Sequence, residues 1–128
     1  MRFMRDIIIY KTEKEEMRFE HLYTVQVHAT YHLYVRSGEF SGGCSFCIPI
    51  SYIEKMIKEI NEILDKLKGN TYLVDYDSDS YVKFGFEEKR LFQVEGQIGG
   101  SHQSHILKFE FEADQTILIG LKRNLLEY

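Results

Sequence analysis

The chain contains no tryptophan, a single proline (Pro49) and only two cysteines, Cys44 and Cys47. One proline leaves long stretches free to form strands or helices without a break. Two cysteines in 128 residues exclude a disulfide-dense scaffold, and the length suits one domain, residues 1–128, that folds on a hydrophobic core without staples. No run of about 18 apolar residues is present, which argues against a membrane-spanning helix. The start, MRFMRDIIIY, holds one short apolar stretch (Ile7, Ile8, Ile9) ended by Lys11 and acidic residues. That is too short for a secretory signal, so the cytoplasm is the expected location. Strong charge of one sign is also missing. Lys and Arg total 16 against 20 Asp and Glu, a net charge of −4, whereas a nucleic-acid binder shows a basic face.

What is present is aromatic: nine Tyr and nine Phe, a usage that suits strands, where such side chains pack on a pleated surface. Residues 6–10 read as a short apolar strand, and Lys11 to Glu16 as a charged, solvated turn. Over 23–35, Tyr23, Val25, Val27, Ala29, Tyr31, Leu33 and Val35 alternate with more polar residues, which predicts one long strand with a face on the core. The chain then bends at Ser37-Gly38 and continues from Phe40 to Ile50, with a bulge or turn allowed at Gly42-Gly43. A helix is predicted over 51–67. Ser51 and Glu54 have the spacing of a capping box, Ile53, Met56, Ile57, Ile60, Leu64 and Leu67 form its apolar stripe, and Gly69-Asn70 stops it. Four further strands are expected at 71–76, 80–87, 90–98 and 105–113, joined by short turns. A closing helix over 116–127 follows from Ile117, Leu121 and Leu125, with a strand as the alternative because of Gly120 and the run TILIG. The fold class is therefore α+β: an antiparallel meander sheet with one central and one C-terminal helix packed on one face.

Few residues suggest chemistry. Cys44 and Cys47 (C-x-x-C) together with His102 and His105 (H-x-x-H) have the residue types of a tetrahedral zinc site, the basis of an alternative reading as a zinc- or small-ligand-binding protein. Geometry opposes it, because residues three apart in an extended strand point to opposite faces. A redox C-x-x-C opens a helix, and here the helix starts too late. His28 and His32 share a strand face but lie about 13 Å apart at a rise of about 3.4 Å per residue. Asp75, Asp77 and Asp79 open like a calcium loop, but Ser80 and Phe86 stand where the turn Gly and bidentate Glu belong. Ser101, His102 and Ser104 bring hydroxyls near an imidazole with no carboxylate to orient it. The expectation is a binding protein, not an enzyme, with no metal or other cofactor. The residues singled out for contact with a partner are Asp75, Tyr76, Asp77, Asp79 and Tyr81. They form an acidic hairpin tip with aromatic flanks, Tyr72 among them, where aromatics supply contact area and carboxylates steer a basic partner.

The segment from Tyr72 to Thr116 contains YLVDYDSDSYVKF, VEGQIGG and LKFEFEADQT, preceded upstream by GEFSGG, a strand and a helix. In this order it resembles the WapI family of bacterial immunity proteins over residues 38–128. The first 37 residues add a compatible strand pattern, and the Cys and His pairs are not part of the likeness. The resemblance implies a cytoplasmic protein that binds the toxic C-terminal domain of a polymorphic secreted toxin and blocks it. The mild acidity fits a basic nuclease as that partner, with no direct nucleic-acid or membrane contact.

Overall fold

In the computed structural model, which describes residues 6–87, 91–100 and 105–128, the first sheet holds β1 (Ile8–Lys11), β2 (Glu15–Val25), β3 (His28–Ser37) and β4 (Phe40–Pro49). Helix α1 (Ile50–Lys66) follows. The second sheet holds β5 (Asn70–Val74), β6 (Tyr81–Phe86), β7 (Phe92–Gly99) and β8 (Ile106–Glu112), and helix α2 (Ile117–Leu125) closes the described chain. Each sheet is an antiparallel meander in sequence order. The α+β class with a central and a C-terminal helix is thus observed, and the meander divides into two four-stranded sheets. The reason lies in α1, whose 17 residues part β4 from β5 and let each sheet turn an apolar face inward. Tyr31, Leu33 and Phe46 from one sheet, Val82, Phe84 and Val94 from the other, and Ile53, Met56 and Ile60 of α1 share one buried cluster.

The pattern over 23–35 hides a hairpin. Gln26 takes a φ of 55°, and the chain reverses so that Val25 pairs with His28. Paired residues share a face, so the reversal exchanges odd for even positions. Ala29, Tyr31, Leu33 and Val35 point into the core, while Tyr23, Val25 and Val27 are exposed. No bulge forms at Gly42-Gly43, which pair in unbroken register with Val35 and Tyr34. Gly42 instead admits Leu107, which lies 3.3 Å from where a β-carbon would stand. The charged segment 11–16 is solvated only as far as Lys14. Glu16 is buried, paired with Arg18 and 4.0 Å from Arg36.

Helix α1 begins one residue earlier than its sequence suggests. Pro49 occupies the N-cap and no side chain caps the helix, so the Ser51–Glu54 capping box does not form. The first amide, Ile50 N–H, donates instead to Val27 O in the β2–β3 turn at 2.8 Å. Ile53, Met56, Ile60 and Ile63 are buried, while Leu67 is a left-handed C-cap on the surface. In α2, Ile117, Leu121 and Leu125 are buried as expected. Gly120 lets the helix close onto Ile9 of β1, where a β-carbon would come within 3.0 Å of the Ile9 side chain.

Candidate partner-binding site

The loop between β5 and β6 is built around Asp75, which is 7% exposed. Its carboxylate accepts the Cys47 amide at 2.9 Å, the Asp77 amide at 3.2 Å and the Ser78 hydroxyl at 2.6 Å. Asp75 N–H donates to Ser80 O, and Tyr76 N–H donates to Cys47 O at 2.9 Å. Both main-chain groups of Cys47, on the edge of β4, are thus held by the loop. Asp75 was expected to face a partner, and the structure turns it inward. A carboxylate followed by free amides in a tight turn is drawn to those donors, because buried polar groups must be paired. Asp77 and Asp79 stay exposed. Tyr81 is half-buried on β6, paired with Val74.

Tyr76 is the residue this staple presents. It is 69% exposed, with its ring 5.5 Å from that of His28. Below it lies an open cleft of about 470 Å³ lined by Pro49, Ser51, Tyr52, Lys55, Val74 and Tyr76. Tyr52 is fixed by a hydrogen bond from its hydroxyl to Tyr72 O at 2.7 Å. Burial, with Glu59 and Tyr72 nearby, raises its pKa above the ordinary tyrosine value, so it stays a neutral donor. The Lys55 ammonium stands 5.5 Å from the Tyr52 ring centroid and is the one cation among the lining residues. Exposed Val27 borders the start of α1 through its carbonyl. With Tyr23 and Val25 it extends the apolar surface onto the β2–β3 hairpin. Exposed apolar side chains gathered around a cleft make this surface a candidate for association. Of the residues singled out from sequence, Tyr76 lines the cleft; Asp77 follows it in the same loop, and Tyr81 lies one strand away. Pro49, Tyr52, Lys55 and Val74 were missed. Tyr52 gave a signal, as an aromatic lying off the buried stripe of α1.

Comparison with protein-family models, curated proteins and solved structures finds no match to this chain.

The cysteines do not converge. Cys44 pairs with Leu33 on the inner face of β4 and Cys47 with Thr30 on the outer face, as expected for residues three apart in a strand. Cys44 Sγ lies 3.7 Å from Ser80 Oγ. Burial raises both thiols above the ordinary value, with Asp77 and Asp75 adding to the effect at Cys47. Protonated thiols are poor nucleophiles and poor ligands. His102, Ser101 and Ser104 lie outside the described residues. His105 is exposed just before β8, and no cluster of three or more potential metal ligands occurs among the described residues. His28 and His32 share the outer face of β3, as expected.

Proposed function

We propose that this chain is an immunity protein that binds the toxic C-terminal domain of a secreted toxin inside the producing cell and blocks it. The observation that carries the proposal is Tyr76, an aromatic side chain held out at the lip of an apolar cleft by a loop with a buried carboxylate at its centre. An exposed aromatic beside a pocket, on a main chain pinned to β4, has the properties of a binding hot spot, since less backbone freedom is lost on contact. The likeness to the WapI immunity family supplies the class of partner. Exposed Asp77 and Asp79 and the net charge of −4 suit a basic toxin such as a nuclease, whose approach they would accelerate. Inhibition by occupancy needs no catalytic group and no cofactor. No helix among the described residues is long and apolar enough to cross a membrane.

Co-expression tests the reading. Cells producing the toxin domain proposed as its partner are expected to grow when the wild-type chain is present. They are expected to die when it carries Tyr76→Asp, a change on an exposed loop that leaves the fold intact. Equal growth with both would remove Tyr76 from the function, and death with both would remove the immunity reading.

A further inference from the structure

The two sheets leave four edges, and exposed edges invite pairing unless something blunts them. At the β1 edge, the register breaks between Ile8 and Tyr10 and α2 packs closely at Ile9. Along β5 runs α1, whose Tyr52 hydroxyl takes the Tyr72 carbonyl. The β8 edge carries exposed Lys108, Glu110 and Glu112. Among the described residues, nothing protects the β4 edge in these ways over its first half. From Phe40 to Pro49 there is no charged residue, and the register with β3 has no bulge.

The direction of its free groups follows from Cys47, whose amide and carbonyl both point away from β3 to Asp75 and Tyr76. In an antiparallel pair every second residue repeats that direction. Ser45, Gly43 and Ser41 therefore present their amides and carbonyls outward. All three residues are exposed, and among the described residues only the loop at Asp75–Tyr76 closes this edge. Beside it runs a groove of about 380 Å³ whose lining mixes Phe40, Ile98, Ile106 and Leu107 with Ser41 and His105. Phe40 is 70% exposed and Ile106 56% exposed.

We propose that the β4 edge from Ser41 to Ser45 accepts an extended segment of a partner protein as a fifth strand of the first sheet. That segment carries apolar side chains at alternate positions. Its main chain pairs with Ser41, Gly43 and Ser45. One set of its side chains enters the groove beside Ile98, Ile106 and Leu107, and the other set lies over the small Ser and Gly residues of the outer face. Strand addition of this kind draws affinity from main-chain bonds and specificity from alternate side-chain pockets. In the two-fold register centred on Gly43, a second copy of β4 brings Gly42 and Cys44 to this stretch and sets its Phe40 opposite Phe46, away from the groove. This site is on a different element from the Tyr76 cleft and does not depend on what that cleft binds.

The test is selection of phage-displayed random dodecapeptides on the wild-type protein, followed by binding of the synthesised winners to variants. Proline is tolerated on an edge strand where its missing N–H faces outward, so Ser45→Pro removes one donor and blocks pairing. Winners are expected to alternate apolar and polar residues. They are expected to bind Ser45→Pro about ten-fold or more weaker, and to bind Ser45→Ala and Tyr76→Ala as they bind wild type. Amide hydrogen exchange on the wild-type protein gives a readout that needs no variant to fold. Gly43 and Ser45 amides are expected to exchange quickly in the free protein and to become protected with the peptide bound. The proposal is overturned by no enrichment, by winners that bind Ser45→Pro equally well or depend on Tyr76, or by Gly43 and Ser45 amides already protected in the free protein. Sedimentation showing a dimer that Ser45→Pro abolishes would also overturn it, by assigning the edge to a second copy.

Discussion

Replacing Asp75 by Ala removes three hydrogen bonds to one buried carboxylate, from Cys47 N–H, Asp77 N–H and the Ser78 hydroxyl. Bonds to a charged acceptor are worth about 1.5–3 kcal/mol each, but three on one group are not additive, and the half-exposed Cys47 amide regains water. A net loss of about 2–4 kcal/mol follows. Asp75→Asn keeps the oxygen shared by the two amides and puts an NH2 against Ser78 Oγ. That oxygen already accepts the Ser80 amide at 3.1 Å, so this variant is expected to lose about 1 kcal/mol. Asp77→Asn, on the exposed side of the same loop, stays within about 0.5 kcal/mol of wild type. Equilibrium urea unfolding, with the slope checked for constancy, measures all three. A stability for Asp75→Ala within about 0.5 kcal/mol of wild type would refute the view that this carboxylate pins the loop to β4.

Replacing Ile60, fully buried in α1, by Ala is expected to cost about 2–5 kcal/mol in the same assay. Tyr31→Phe deletes a buried hydroxyl that donates to Leu125 O at 2.7 Å, and is expected to cost about 1–2 kcal/mol. Because Cys44 and Cys47 have raised pKa values, the unfolded chain releases these thiol protons first as pH climbs. Stability is therefore expected to be fully present below the ordinary cysteine range and lost through it, a fall readable as a lower urea midpoint at about pH 10 than at about pH 7. The double change Asp77→Asn with Asp79→Asn is expected to slow association with the proposed toxin partner and flatten its salt dependence at unchanged melting temperature. Surface-immobilised binding at two salt concentrations shows whether it does.

The elements with a regular period were legible in the sequence. The stripe from Ile53 to Ile60 predicted α1, and the alternations around Val82 and Phe109 predicted β6 and β8. The reversal at Gln26 was not legible, because Val-Gln-Val carries none of the Gly, Asn or Pro that usually mark a turn and the apolar alternation runs straight across it. The division into two sheets depends on pairings across the chain, which local pattern does not record. In the candidate site, the spacing of Asp75, Asp77 and Asp79 makes the three carboxylates look alike. Only the nearby edge of β4, distant in sequence, decides that Asp75 turns inward while Asp77 faces out. The same edge explains why Tyr76 stands at the lip of a cleft whose other wall comes from Pro49 and Tyr52.

The measurement that bears most directly on the central claim is calorimetric titration of the toxin domain proposed as partner into the wild-type chain and into Tyr76→Ala. An exposed hot-spot aromatic at a pocket predicts a loss of about 2 kcal/mol or more, about thirty-fold in Kd, with both proteins melting at the same temperature. Affinities equal within about two-fold would contradict the assignment of the Tyr76 cleft as the surface that neutralises the partner.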